Sequence, residues 1–343
     1  MSMHKIEGFE PMAGQHCETV TTGTLLKAAG VVLSEPMLFG LGEGLSFIFL
    51  NLAALPLPFV GGRVKPFELT LSLCRNIGAT CDAAETGSKP KAWANLEEPI
   101  LRGTPVGLHL ACYYLDYFSH PVHFAGHFVA AYGFDESEVL VVDTVQQGTL
   151  QSAPRSRVEE ARFAKGPMAA RARSWTITAP AKPVDLPGAV RAAIGANAEV
   201  YLNPPFQGAS YLGIRKMAAS LPTWLKLSKS PEQDLAQTAL MMERAGTGGA
   251  IFRNFYRDFL AEARDLLPQD QRLLREAEGL FGEAAAGWTA IADLIGRAGA
   301  QQDAKSLHEA AGLCTQVADL EVALGDRGAV AVGATARRIL EKP

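Results

Sequence analysis

The feature that most constrains the fold of this chain is a change of pattern at APAKPVDLPG, residues 179–188. Before this stretch, segments such as PVGLHLACYYL, HFVAAYGF and VLVVDT are short and apolar and are bounded by turns, which is typical of strands. After it, nearly every segment is rich in alanine and helical in pattern, as in SPEQDLAQTALMMERAG. The sequence therefore predicts an α+β domain over residues 1–180 and an all-helical domain over residues 181–343.

Composition and charge narrow the class of protein. The 343 residues are 48% hydrophobic, which suits a globular protein of one large or two ordinary domains. The net charge is −4 and no long basic run occurs, so nucleic acid is not an expected partner. The uncharged stretch 44–60 is short for a membrane span and contains Asn51, Pro56 and Pro58. We read it as core or pocket wall and expect no membrane partner.

The cysteines indicate a reducing compartment. The five cysteines are scattered, odd in number and form no C-x-x-C pair, a pattern typical of free thiols. The opening MSMHKIEGFE carries charges and has no apolar core, so it does not read as a secretory signal. We therefore expect a cytoplasmic protein without a disulfide framework.

Three residues of the first domain could form a catalytic triad. Cys17 begins a predicted helix, where the helix dipole favours a thiolate. His127 begins a predicted strand and Asp143 ends the next one, so antiparallel pairing would place both near the same end of the sheet. A histidine beside a thiol can shuttle protons, and a carboxylate can orient its ring. The residues alone leave a second interpretation open, with Cys17 as a small apolar residue and Asp143 as a turn former.

Several blocks of sequence resemble a known family. The pair HC at the helix start, LSEPMLFGLGEGL, GTPV, HFAGHFVAAYGFD and VLVVDT together resemble the N-terminal domain of the butirosin biosynthesis protein H family. The segments IRKMAASLPTW, GTGGAIFRNFYRDFLAEA and AAAGWTAIADLI resemble the helical domain that commonly follows it. The resemblance implies a papain-like cysteine-protease fold, with a helix packed on an antiparallel sheet, and then an all-helical C-terminal domain.

The same resemblance implies an activity. The family member that gives its name is an acyltransferase, which moves an aminoacyl group from an acyl carrier protein thioester to an aminoglycoside amine. By this resemblance Cys17 would attack a thioester, His127 would move the protons and Asp143 would orient His127. The expected partners are an acyl carrier protein, or another phosphopantetheine or CoA thioester, and a small amine in specialised-metabolite biosynthesis. The alternative is a papain-like peptidase, amidase or thioesterase that uses the same residues. The helical domain could roof the cleft or form a homodimer.

Neither a cofactor nor a metal is expected. His123 and His127 are four residues apart, a spacing that can bind metal on a helix. The sequence after His127 reads as a strand, however, and no acidic ligand lies nearby in the sequence.

Three tyrosines of the first domain are expected to pack against neighbouring elements, with one of them as a candidate for lining the pocket. They are Tyr113, Tyr114 and Tyr117.

The oxyanion donor is less well defined than the nucleophile. Papain-like enzymes often carry a glutamine about six residues before the cysteine, but Pro11 stands there in this sequence. Gln15, or backbone N–H groups at the start of the helix including that of Cys17, are the remaining candidates. The isolated Glu35 could pair with Arg63 near the cleft or bind a substrate amine.

One further motif could bind an anion. The glycine-rich GTGG, residues 246–249, precedes a predicted helix, and such a turn can hold the phosphate of a pantetheine arm. Thr247 and Arg253 would then contact the phosphate. The alternative is an ordinary loop with Thr247 near the helix start.

Overall fold

The computed structural model describes residues 3–52, 55–119, 124–166, 168–243 and 249–340. The strands, in chain order, are β1 (His4–Lys5), β2 (Leu45–Leu50), β3 (Phe59–Arg63), β4 (Thr80–Ala84), β5 (Val106–Leu110), β6 (His127–Phe134), β7 (Glu138–Val142), β8 (Leu150–Pro154) and β9 (Ser174–Thr178). The helices are α1 (Cys17–Ala28), α2 (Glu35–Leu41), α3 (Glu68–Ile77), α4 (Lys89–Leu101), α5 (Arg155–Phe163), α6 (Leu186–Leu202), α7 (Ser210–Ser220), α8 (Trp224–Leu227), α9 (Pro231–Glu243), α10 (Ala250–Leu266), α11 (Gln271–Gln301) and α12 (Ala304–Leu340).

The chain divides into two compact units. The sheet unit contains Met1–Leu38 and Pro66–Val184, and the helical unit contains Phe39–Lys65 and Asp185–Pro343. The sequence predicted one boundary near residue 180, which lies close to the change at residue 184. It did not predict that residues 39–65 would belong to the helical unit.

The physical reason for this difference is the hairpin formed by β2 and β3, which form a two-stranded sheet of their own and are also bridged to Ala209, in the helical unit, through Ile48. Alternate residues of β2 are buried, and a hairpin with one apolar face needs a second surface to cover it. Phe47 and Phe49 find that surface in a core that includes Trp224, Trp288 and other residues of the helical unit. Within the uncharged stretch 44–60, Phe47, Phe49, Leu57 and Val60 are therefore core residues, as the composition predicted.

The sheet unit is built on one antiparallel sheet with strand order β4-β9-β5-β6-β7-β8, and β1 pairs with β6. Strand β6 is buried along its whole length between β5 and β7, so its residues read as a continuous apolar run. Helix α1 begins at Cys17 and packs against β5, β6, β7 and β9. Helices α4 and α5 share a second core with the sheet, in which Leu96, Val129 and Val158 are buried. The predicted α+β class, with a helix packed on an antiparallel sheet, is confirmed.

The helical unit has α11 at its centre, in contact with α9, α10 and α12. Its core contains Ile291, Ile295, Leu307 and other apolar residues at helical spacing. The predicted helical C-terminal region is confirmed. Within the described ranges, none of the helices combines the length and the apolar character that crossing a membrane requires.

Candidate active site

Three chain segments bring Cys17, His127 and Asp143 together in the sheet unit. Cys17 is the first residue of α1, His127 is the first residue of β6 and Asp143 directly follows β7. Strands β6 and β7 are antiparallel, with Ala130 opposite Val142, so the start of one strand lies beside the end of the other. His127 Nε2 lies 2.8 Å from Asp143 Oδ2.

The thiol completes this series of contacts. His127 is hydrogen bonded to Asp143, and the charge of Cys17 acts on the His127 ring from close by. Because Nε2 faces the carboxylate, Nδ1 is the ring nitrogen left for the thiol. His127 and Asp143 are buried, whereas Cys17 is partly exposed. Cys17 is therefore the most accessible of the three residues.

The electrostatics of the site favour a charged histidine. Burial by itself lowers the pKa of His127, because the imidazolium is removed from water. The negative charges of Asp143 and of the Cys17 thiolate, with the hydrogen bonds to both, outweigh burial and hold the pKa of His127 well above its ordinary value. An imidazolium beside a cysteine is the arrangement in which the sulfur reacts as a thiolate.

Asp143 is held by two further donors. The Tyr117 hydroxyl donates to Asp143 Oδ2 at 2.8 Å, and the Thr144 backbone N–H donates to Oδ1 at 2.7 Å. Burial, together with the charge of Asp143, raises the pKa of Tyr117 well above its ordinary value, so the phenol remains a donor. Phe118 packs edge-on against the His127 ring, with centroids 5.3 Å apart. Sequence reasoning assigned Tyr117 to packing, and nothing in the sequence distinguishes it from Tyr113 and Tyr114.

Glu35 fixes the loop that leads into α1. Its carboxylate accepts hydrogen bonds from the backbone N–H of Gln15 at 2.9 Å, from that of His16 at 2.9 Å and from the Thr19 hydroxyl at 2.8 Å. The prediction that Glu35 pairs with Arg63 or binds a substrate amine is therefore corrected, because its oxygens are used to position the residues before the nucleophile. An acid at a helix N-terminus also suits the dipole.

The same loop is tied to the loop that carries Asp143. The Val145 backbone N–H donates to Gly14 O at 2.9 Å. A side chain at Gly14 would meet the Glu35 carboxylate, since a Cβ built there lies 2.8 Å from Oε2. Glycine at this position thus allows the carboxylate to approach the backbone. The loop that precedes Cys17 and the loop that follows Asp143 are thus joined by a direct hydrogen bond.

The oxyanion donor stays a prediction. The backbone N–H of Gln15 is occupied by Glu35, and the Gln15 residue is exposed. Cys17 is the first residue of α1, so its N–H has no acceptor in a preceding helical turn. That N–H and the Gln15 side chain are the donors that the loop leaves for an oxyanion.

The structure changes the interpretation of Arg253. Its guanidinium is fully buried and donates to Glu321 through Nε and Nη2, both at 2.8 Å. It also donates to Ser46 O, to Gly62 O and to the Tyr201 hydroxyl. Arg253 is therefore committed to internal acceptors and does not serve as an anion ligand, which corrects the prediction for GTGG.

Residues 246–248 of that motif, which include Thr247, lie outside the described residues, as does His123.

Arg63 is a residue of β3 in the helical unit and donates to Val64 O at 3.1 Å. Among the described residues, no group of three His, Cys, Asp or Glu side chains could hold a metal ion.

Comparison with known families gives two matches. Residues 16–144 match the family described as butirosin biosynthesis protein H, N-terminal, and this range contains Cys17, His127 and Asp143. Residues 156–327, half of the chain, match the domain of unknown function DUF4872. The chain belongs to the DUF4872 family, and in it that domain follows a butirosin biosynthesis protein H N-terminal domain. The resemblance predicted from the sequence blocks is confirmed. Comparison with the curated proteins gives no match.

Proposed function

We propose that the protein is a biosynthetic acyltransferase, in which Cys17 accepts an acyl or aminoacyl group from a thioester and passes it to an amine. The observation that carries this proposal is the grouping of Cys17, at the N-terminus of α1, with His127, whose ring is hydrogen bonded to the buried Asp143. The match to the butirosin biosynthesis protein H N-terminal domain supports a role in biosynthesis.

In the first half-reaction the Cys17 thiolate attacks the thioester carbonyl carbon. The C–S bond to the donor breaks as the tetrahedral intermediate collapses, and His127 gives its proton to the departing thiolate. The products are a Cys17 thioester and a free thiol. Exchange between a thiol and a thioester exchanges one C–S bond for another, so neither oxidant nor metal is needed for balance.

In the second half-reaction an amine attacks the Cys17 thioester. The neutral His127 formed in the first half takes the proton that the amine must lose, while Asp143 stabilises the imidazolium that results. The Cys17 thiolate leaves and the amide is released. The donor would be a carrier-protein, phosphopantetheine or CoA thioester, and the acceptor a small amine.

Intact-protein mass spectrometry tests the nucleophile. The protein is mixed with acyl-CoA and with aminoacyl thioesters of N-acetylcysteamine, and the mass of the protein is followed. We expect wild type to gain one acyl mass and Cys17→Ala to gain none. Cys81→Ser is the matched control, because Cys81 is also a partly exposed thiol, and we expect this variant to gain one acyl mass as wild type does. If Cys17→Ala gains the same mass as wild type, the assignment of Cys17 is wrong.

The fate of the acyl group separates transfer from hydrolysis. When amines are added to the acylated protein, an acyltransferase gives amide, whereas a hydrolase of the same fold gives free acid at a rate that the amine does not change. Amide formation supports the proposal. Release of free acid alone, with the amine unreacted, would instead assign the chain to the hydrolases.

A further inference from the structure

A second pair of thiols meets in the sheet unit. Cys74 lies in the last turn of α3 and Cys81 is the second residue of β4. The end of α3 is in contact with β4, and the pKa of each of the two thiols is shifted by the other, so the two side chains lie within reach of each other. We call them the thiol pair.

The connection between α3 and β4 explains why the pair meets. Gly78 ends the helix in a left-handed conformation, with φ of 74°, and the Ala79 backbone N–H donates to Cys74 O at 2.9 Å. This helix stop turns the chain back within two residues, which is the role that glycine serves at helix ends. Strand β4 therefore begins beside the last turn of α3, and only six residues separate the two sulfurs in the sequence.

The two thiols differ in accessibility. Cys74 is 2% exposed, whereas Cys81 is partly exposed. Among the described strands, β4 lies at the edge of the sheet, beside β9, and its other four residues are exposed. A small solute can thus approach Cys81 but not Cys74.

The two thiols also differ in charge. The hydrogen bond from Cys74 lowers the pKa of Cys81, and the positive charge of Arg173 acts in the same direction, against burial and Asp82. The hydrogen bond with Cys81 and burial raise the pKa of Cys74. Cys81 is therefore the member that reacts as a thiolate, and Cys74 is the proton donor.

We propose that the thiol pair is an oxidative modification site, at which a small hydroperoxide converts Cys74 and Cys81 into an intramolecular disulfide. The Cys81 thiolate attacks the outer peroxide oxygen and the O–O bond breaks, which gives a sulfenic acid at Cys81 and an alcohol or water. Cys74 then attacks the Cys81 sulfur, the S–O bond breaks and water leaves with the Cys74 proton. In total, two thiols are oxidised and one hydroperoxide is reduced.

The modification is independent of the proposed acyl transfer, because neither thiol belongs to the series of Cys17, His127 and Asp143. The test uses Cys17→Ser, so that the partly exposed Cys17 thiol does not consume peroxide. The full chain is treated with hydrogen peroxide, its free thiols are alkylated after denaturation and it is digested with trypsin without reduction.

The sequence provides a direct readout. Trypsin cleaves after Arg75, which lies between the two cysteines, so the disulfide joins peptide 64–75 to peptide 76–91. We expect the joined peptides to appear with a loss of two hydrogen atoms and to separate again on treatment with dithiothreitol. Peptides that contain the buried Cys314 should stay alkylated.

Two variants assign the order of events. In Cys17→Ser/Cys74→Ser, Cys81 should stop at the sulfenic acid, which dimedone traps. In Cys17→Ser/Cys81→Ser, Cys74 should remain alkylatable, because it is buried. The proposal is overturned if peroxide leaves both peptides alkylated in the Cys17→Ser protein, or if the disulfide joins another pair of cysteines. These outcomes are read from a protein with both thiols of the pair intact, so they do not depend on how well the Cys74 or Cys81 variants fold.

Discussion

Two buried carboxylates, one in each unit, show what separates a reactive site from a structural one. Asp143 in the sheet unit is 0% exposed and Glu321 in the helical unit is 2% exposed. Each accepts hydrogen bonds from a basic side chain and from an aromatic residue, which is Tyr117 for Asp143 and Trp288 for Glu321. The two sites differ in the basic partner.

Arg253 donates all of its hydrogen bonds to fixed acceptors, and burial lowers its pKa only to about 9, so it remains charged at neutral pH. His127 has two ring nitrogens, and only one of them is bound by the carboxylate. The other is left for Cys17, which is partly exposed. Burial and a basic partner are thus common to both sites, and a partly exposed thiol is present at only one of the two.

The largest expected effect is on the rate of Cys17 acylation, and it follows from the removal of His127. His127→Ala removes the group that moves protons to and from the sulfur, so we expect Cys17 to acylate about 10²–10⁴-fold more slowly. The acylation rate is measured by quenching the reaction at a series of times and analysing the intact protein by mass spectrometry. His127→Ala also leaves the buried Asp143 without its basic partner, so the thermal unfolding midpoint should fall as well, and the two rates are compared at a temperature at which both proteins are folded. An unchanged acylation rate would show that His127 takes no part in the reaction.

Removal of Arg253, the basic partner of Glu321, should instead lower the free energy of unfolding. Arg253→Met leaves Glu321 without its partner and removes donors to Ser46 O and Gly62 O, so we expect a loss of about 3–5 kcal/mol in the free energy of unfolding. Urea titration followed by circular dichroism measures this loss. The control is Arg215→Met, because Arg215 forms an exposed ion pair with Asp319 and should cost under about 1 kcal/mol. Equal losses in the two variants would mean that the buried pair is no more than a surface contact.

The pH dependence of stability tests the charge of His127. The pKa of His127 is raised in the folded state, so protonation of His127 stabilises the folded protein. This stabilisation is complete at pH values below the unfolded pKa of 6.5 and is lost as the pH rises through the folded pKa. Asp143→Asn removes the charge that raises the pKa. We therefore expect the stability difference between wild type and Asp143→Asn to be largest between about pH 5 and 6.5 and to shrink at higher pH.

Urea titrations at a series of pH values measure this difference. The control is the same substitution made in His127→Ala, where the shrinkage with rising pH should disappear. If the difference grows with pH in the presence of His127, the histidine is neutral in the folded protein and the ion pair does not form.

Glu35 offers a smaller perturbation of the same site. Glu35→Gln keeps the shape but turns an amide donor toward N–H groups that need acceptors, at a cost of about 1.5–3 kcal/mol for hydrogen bonds to a charged group. Because those N–H groups precede Cys17, we expect acylation to slow about tenfold or more. Glu10→Gln, at an exposed carboxylate paired with Lys27, is the matched control and should acylate at the wild-type rate. If both variants behave alike, Glu35 does not position the nucleophile.

The sequence could predict the triad because its geometry follows from secondary structure. Two antiparallel strands and a short turn place His127 beside Asp143 whatever the loops do. Helix α1 is buried continuously from Glu18 to Leu26 and shows no amphipathic pattern, so it was the family resemblance that favoured Cys17. The hydrogen bonds of Glu35 and Tyr117 depend on the conformation of loops, which no repeating pattern of apolar residues predicts. Arg253 was misread for a different reason. A glycine-rich turn before a helix is visible in the sequence. The carboxylate that accepts the hydrogen bonds of Arg253 belongs to Glu321, which lies 68 residues further along the chain on another helix.

The smallest expected effect concerns Tyr117, the donor that shares Asp143 Oδ2 with His127. Tyr117→Phe removes one hydrogen bond, so we expect a loss of roughly 0.5–1.5 kcal/mol, or about threefold to tenfold in the acylation rate. With the phenol gone, more of the Asp143 charge acts on His127, and the pKa of His127 should rise further in an NMR titration. Tyr114→Phe is the control, since its ring lies against Arg157 and away from the carboxylate. A fall in the His127 pKa would mean that the phenol holds Asp143 in place and that its loss lets the carboxylate move away from the ring.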